Sequence, residues 1–322
     1  LISLGKNPNI GAVLVVGLGC EGVPADKVAE GIAGCGKPVE TVVIQETGGF
    51  VRSVAQGTLV AQRLAMDLSR LPREPAEVSD IVLGIKCGAS DPTSGLASNP
   101  ATGVVTDRIV AMGGTVLYGE VTEFLGAEHL LARHTASPLV TEELISCVRR
   151  LEARVQATGE DLRGGNPTAG NIAGGLSSIE EKSLGAIVKG GAATIQGVYP
   201  YGSIPQGKGA FVIDSPGREP ELLTGLAAGG ANVMVFSTGL GAPQGFPFVP
   251  VIKVTGNQRT VDKLPDHIDL SVAGLMDGTM TMDEAGALIF QRVLAVASGE
   301  QTKAESIGYS GAVDIWVFGP VI

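Results

Sequence analysis

The chain has 322 residues, 44% hydrophobic and 17% charged. It is long and apolar enough to bury a large core, which excludes disorder as its main character. Twenty-three basic residues against 33 acidic ones leave a net charge of −10 with no polybasic block, arguing against nucleic acid and anionic membrane as partners. Its apolar runs fall short of the ~20 residues that span a bilayer, and four cysteines are too few for a secreted disulfide scaffold, so a reduced cytoplasm is the expected compartment.

The opening LISLGKNPNI has no initiating Met and no secretory pattern, so a preceding segment is expected. AVLVVG then predicts a strand from residue 12 and empties into the loop GLGCE, where Glu21 follows Cys20. ADKVAEGIAG reads as a helix, TVVIQ as a strand leading to Glu46, and VRSVAQGTLVAQRLAMDLSRL as a long helix. The strand DIVLGI runs into KCGASDPTSGLASNPATG, residues 86–103, which crowds Lys86, Cys87, Ser90, Asp91, Ser94 and Asn99 into one strand-to-helix loop. TDRIVAMGG reads as a helix, TVLYGE as a strand and TEELISCVRRLEARVQATGED as a long amphipathic helix.

The stretch LRGGNPTAGNIAGG, which contains Asn171, is the expected boundary between a first half, 1–160, and a second, 161–322. Beyond it Ser178 and Glu181 have capping-box spacing. ATIQGV, AFVID, NVMVFS, PVIKV and DIWVFG read as strands; NVMVFS leads through Thr238 into STGLGAP, and PVIKV carries Lys253. The alternation predicts an α/β protein of two Rossmann-like, parallel-sheet halves with Gly-rich loops at the carboxyl ends of the strands. Forty-seven glycines suit such loops. In open parallel sheets ligands sit outside those ends, so the loops after AVLVVG, DIVLGI and NVMVFS are expected to share one crevice.

Common signatures fail. There is no Walker A sequence, no G-x-S-x-G and no H-E-x-x-H, and the isolated spacing of Gly17, Gly19 and Gly22 is weak support for a dinucleotide site. His129 and His134 read as solvated or capping residues, and Cys35 and Cys147 as structural, buried thiols. Cys20 and Cys87 each end a strand near an acidic residue; a thiolate there binds a divalent metal or an iron cluster, or the cysteine is simply a small apolar residue in a tight turn.

In order, GLGCE, IQETGG, KCGASDPTSGLASNPATG, PTAGNIAGGLSSIEEKSLG and STGLGAPQGFPFVPVIKV resemble the large domain of the altronate and galactarate dehydratase family, from about Gly11 to the terminal FGPVI. The resemblance implies a lyase that eliminates a β substituent from a 2-hydroxy carboxylate, usually with a divalent metal such as Fe2+, and a related branch resembles the large subunit of sulfolactate sulfo-lyase. It implies Cys20, Cys87 and Glu21 as metal ligands, with an iron–sulfur cluster as the alternative. Glu46, Lys86 and Asp91 are then acid–base candidates, and Ser90, Ser94, Asn99, Asn171, Thr238 and Lys253 substrate contacts. Such enzymes carry a further small domain or subunit and a His and Cys ahead of the first strand, which this sequence lacks; a small hydroxy-acid substrate, that additional subunit and further copies of the chain are the expected partners. Where the sugar-acid enzymes have T-G-R-G, this sequence has TGLG with Leu240, which offers no bidentate contact to a carboxylate and points towards a smaller or differently charged acid. A non-catalytic anion-binding protein is the rival class.

Overall fold

The structure is a computed structural model that describes residues 1–311 and 313–317. The chain forms two compact units, Leu1–Ala76 and Glu77–Ile322. In the first, strands β1 (Val13–Gly17) and β2 (Val39–Val43) pair in parallel from Val13 opposite Val39 to Gly17 opposite Val43. Parallel neighbours need a crossover, supplied by the helix Ala25–Ala33, which buries Ala25, Val28 and Ile32 on one face at helical spacing. A second helix, Phe50–Leu68, follows.

The second unit is built on seven parallel strands: β3 (Val82–Gly88), β4 (Thr115–Tyr118), β5 (Ile195–Pro200), β6 (Gly209–Asp214), β7 (Val233–Thr238), β8 (Val251–Thr255) and β9 (Leu270–Ser271), in the spatial order β5-β6-β4-β3-β7-β8-β9. Every residue of β4, β7 and β8 is buried, the pattern of strands covered on both faces. The helices Asn99–Ala111 and Met282–Ala297 pack together where Gly286 leaves room for Val104.

The α/β class and eight of the expected strands are present, with β9 as a two-residue addition that no hydrophobic run announces. Of DIWVFG, residues 314–317 belong to no strand, and Phe318 and Gly319 lie outside the described residues, as does the terminal FGPVI. The division falls after Ala76 rather than near residue 160. A cut at 160 would separate β3 and β4 from strands they hydrogen-bond in one sheet, namely β7 and β6. The stretch LRGGNPTAGNIAGG is no loose connector either: it contains the short helices Leu162–Gly165 and Ala169–Ala173, the latter opened by a reciprocal cap between Thr168 and Asn171.

Two neighbours in the sheet send the chain in opposite directions. From β3 it proceeds to β4 on one side, and from β7 to β8 on the other. The crevice beyond the carboxyl ends of β3 and β7 is therefore the switch point at which open α/β sheets bind ligands. KCGASDPTSGLASNPATG lies there, and it is less of a loop than its composition suggests: β3 continues through Gly88, Ala89 takes a positive φ of 48°, and a π-helical turn Ser94–Ser98 runs directly into Asn99–Ala111.

Gly103, on that helix, faces backbone: an added Cβ would lie within 3.2 Å of Gly191 Cα and closer still to Val188 O. We expect Gly103→Ala to cost about 1–3 kcal/mol in denaturant unfolding, the usual toll of overpacking. Gly57→Ala, whose Cβ would meet only Leu14 at 3.6 Å within the helix Phe50–Leu68, should be neutral or stabilising by up to about 1 kcal/mol.

Candidate functional site

At the switch point Cys87 stands opposite Ser237 and Gly88 opposite Thr238. The two outgoing loops are tied together there, since the amides of Gly239 and Leu240 both donate to Ala89 O at 3.2 and 2.8 Å. Asp91 is clamped between them: its Oδ1 accepts from Thr93 Oγ1 (2.6 Å), Ser94 N (3.1 Å) and Ser94 Oγ (3.4 Å), and its Oδ2 from Asn257 Nδ2 (2.7 Å). Only glycine fits at 239, where a side chain would strike the Asp91 carboxylate.

Beside this clamp is a cavity of about 310 Å³, lined by Ser90, Asp91, Ser94 and Asn99 on one wall and by Glu181, Lys182 and Gly185 on another. Its walls approach so closely that a Cβ on Gly95 would sit 2.9 Å from Gly185 Cα. Asn99 donates Nδ2 to Gly185 O at 2.7 Å, while its Oδ1 is buried without a partner. Asn171 acts from behind, donating Nδ2 to Ser90 O at 2.9 Å. Ser178 caps the helix Ile179–Ile187 by accepting from Glu181 N at 3.2 Å; the other half of the expected box is displaced, because Glu181 turns its carboxylate to Ser177 and is held below the usual carboxylate range by those bonds.

Around Glu120 runs a chain of charges, most of them buried. Lys86 Nζ, fully buried and 4.0 Å from the centre of the Phe236 ring, lies 3.7 Å from Glu219 Oε1 and 3.6 Å from Glu120 Oε1 but makes no hydrogen bond. Glu120 Oε2 pairs with Lys189 Nζ at 2.7 Å, and the Glu120 carboxylate also accepts from Cys87 N at 3.2 and 3.0 Å. Burial works to lower the Lys189 pKa, but Cys87 and Glu120 beside it more than offset that and hold it up. Nearby, Glu123 Oε1 pairs with Lys182 Nζ at 3.1 Å; burial pushes the Glu123 pKa up against the opposing pull of Lys182.

Of the residues singled out from sequence, Ser90, Asp91, Ser94 and Asn99 therefore line one cavity and Asn171 braces it. Lys86 does not line it. Thr238 accepts from Gly241 N at 3.1 Å, and Lys253 is fully buried, donates to Gln244 O at 3.2 Å and has its pKa lowered by that burial; neither belongs to the cavity lining. Glu120, Glu123 and Lys189 went unnoticed because a single Glu or Lys in a turn carries no spacing signal; what marks them is burial.

The loop GLGCE belongs to the other unit. There Glu21 and Glu46 line a cavity of about 500 Å³ with Asp26 and Thr41, and Cys20 is exposed, accepting from Gln45 Nε2 at 3.3 Å. Hydrogen bonds from its own backbone N–H and that of Gly19 keep Glu21 ionised to lower pH than usual. A divalent ion or iron cluster does not fit at Cys87. Its Sγ lies 3.4 Å from the Lys189 ammonium, and burial, with Glu120 alongside, pushes the thiol up to about 12. Cys20 and Glu21 offer two donors, short of the three that catalytic zinc sites take from protein, and no group of three or more His, Cys, Asp or Glu suited to a metal occurs among the described residues. Cys147 is buried, as expected, with its thiol donating to Leu144 O at 3.0 Å, whereas Cys35 is exposed.

Comparison with known proteins gives two matches that follow one another along the chain. The family model for "D-galactarate/Altronate dehydratase, C-terminal" matches residues 78–320, and that for "D-galactarate dehydratase/Altronate hydrolase, second domain" matches residues 1–69. The chain is 38% identical to the (2R)-sulfolactate sulfo-lyase subunit beta of Chromohalobacter salexigens, over 96% of this chain and 79% of that one. It is 33% identical to the galactarate dehydratase (L-threo-forming) of Escherichia coli and 32% to the altronate dehydratase of the same organism, over 93% and 92% of this chain. It spans only 58% and 59% of those two dehydratases. No helix among the described residues is long and apolar enough to cross a membrane.

Two measurements check this geometry. Removing the Glu120 charge leaves Lys86 and Lys189 buried without their shared partner, so Glu120→Gln should cost about 3–5 kcal/mol of stability in denaturant unfolding. Thiol titration of the native protein at neutral pH should label Cys20 and Cys35 rapidly and spare Cys87 and Cys147, whose buried thiols are both pushed up to about 12; all four should react after unfolding.

Proposed function

The chain belongs to the D-galactarate/altronate dehydratase family, and from that premise we propose that it is the large part of a lyase that eliminates a β substituent from a small 2-hydroxy carboxylate to give a 2-keto acid. The observation that carries the reading is the cavity at the β3–β7 switch point, small, partly buried and lined by hydroxyls, an amide, two carboxylates and an ammonium. Ser90, Ser94 and Asn99 suit the hydroxyls of such an acid, and the unpartnered Asn99 Oδ1 is an acceptor in need of a donor.

Elimination starts with removal of the proton α to the carboxylate, and the base must have lone pairs to spare. Asp91 has four donors on its two oxygens, so its role is to hold the loop. Glu181 lines the same cavity and its engaged oxygen is Oε2, leaving Oε1 to take the proton. The enol released by loss of the β group then tautomerises to the keto acid. Iron, where family members use it, would supply charge stabilisation to the enediolate. We assign the remainder of the enzyme to a further small domain or separate subunit, in line with a relative that is itself a subunit beta.

A second leaving group is favoured by one observation. Leu240, 41% exposed, stands where the sugar-acid enzymes have Arg and gives no charge to a second carboxylate of an aldarate. Sulfite in place of water, from a three-carbon acid, is the second leaving group, in line with the relative that is itself a sulfo-lyase subunit. The test is a panel of galactarate, altronate and sulfolactate incubated with the protein and ferrous iron, anaerobically, with both 2-keto acid and free sulfite measured. Keto acid together with sulfite from sulfolactate alone is the expected result, and Glu181→Gln should lower that turnover by about 10²–10⁴-fold. Binding of acids without product from any of them would instead make the chain an anion-binding protein.

A further inference from the structure

We propose that Lys182 is the anchor for the substrate carboxylate and that Glu123 is the residue that positions it. The acid's identity rests on the elimination reading; the anchoring does not.

Three observations meet here. Lys182 is the one basic side chain among the residues lining the cavity, and its side chain is 10% exposed. An ammonium group has three hydrogens to donate. Two have acceptors in the protein, Glu123 Oε1 at 3.1 Å and Asn166 Oδ1 at 2.7 Å, leaving one for the cavity. Second, the cavity's own carboxylates do not compete for it: Asp91 is saturated by Thr93, Ser94 and Asn257, and Glu181 is turned to Ser177. Third, Asn99 Oδ1 is buried, unpartnered and on the lining of the same cavity. A carboxylate on Lys182 with a neighbouring hydroxyl given to Asn99 satisfies both groups, and a 2-hydroxy acid carries those two functions on adjacent carbons.

Glu123 has no other visible use. It sits on the turn Val121–Glu123 directly after Glu120, and its Oε2 is buried without a hydrogen bond. A buried carboxylate that spends one oxygen on a lysine and leaves the other empty is a poor contribution to stability. It makes sense as the brace that keeps a flexible four-carbon stem pointing one way.

The experiment uses lactate, a 2-hydroxy carboxylate with no β leaving group, so that binding is read apart from elimination. Calorimetric titration of the full chain should show lactate binding and no binding of methyl lactate, in which the charge is removed. Lys182→Gln should weaken lactate by at least roughly tenfold with circular dichroism unchanged, and Lys182→Arg should keep most of the affinity. Glu123→Gln should weaken it by roughly threefold or more, and the double variant should bind no more weakly than Lys182→Gln alone, because a positioning residue acts only through its target. Absence of lactate binding by the unaltered chain, equal binding of methyl lactate, unchanged affinity in Lys182→Gln, or additive losses in the double variant would each overturn the proposal. Failure of the elimination reading looks different: lactate binds and depends on Lys182, yet no acid of the panel is turned over. Full turnover by Lys182→Gln would spare elimination and remove the anchor.

Discussion

The carboxylate of Glu120 is the contact on which the rest of the site depends. It is completely buried, takes up the amide of Cys87 just past the last paired residues of β3 and β4, and is shared by Lys86 and Lys189. The residue holds a left-handed backbone, φ 64°, a conformation that costs a non-glycine residue roughly 1–2 kcal/mol. The cost is sustained because that bend sends the side chain back over the end of β3 while Val121 N bonds to Ser215 O. One carboxylate thus takes over the β4 side of β3 at Cys87, while pairing with β7 continues to Gly88.

From Glu120 the order propagates in both directions. Through Lys86 it reaches Glu219, whose side chain is 34% exposed and opens the helix Glu219–Ala228. Through Lys189 it reaches the segment that follows the helix Ile179–Ile187, whose first turn carries Lys182. Burying so many charges is expensive compared with an apolar core of the same shape. Alternating their signs keeps each lysine beside a carboxylate, at 3.6 and 3.7 Å for Lys86 and 2.7 Å for Lys189.

Much of this was legible in the sequence, and the part that was not has a physical cause. Short β-branched runs such as NVMVFS and PVIKV alternate with helical patterns, so the parallel sheet was expected, and every residue of the strands they form is buried. KCGASDPTSGLASNPATG was recognisable as a rim because its hydroxyls, Asp91 and Asn99 fall between a strand and a helix. The unit boundary was not read from the sequence: sheet order is a long-range property, and the local sign is confined to Pro72 and Pro75 in the charged segment RLPREPA, residues 70–76. Cys87 misled for a related reason. At a strand end it reads as a thiolate ligand, and only its burial, with Glu120 alongside, makes it a neutral, enclosed thiol against the opposing pull of Lys189 from 102 positions away.

The near-contact of Gly95 with Gly185 has a consequence for how the cavity can change. Where two backbones meet there is no side chain to trim or enlarge, so the walls cannot come closer together at that junction. Leu96 and Leu184, on the lining of the same cavity, are exposed to solvent. A change in the dimensions of the cavity is therefore open at those two side chains and closed at the glycine junction, where any added Cβ meets main chain.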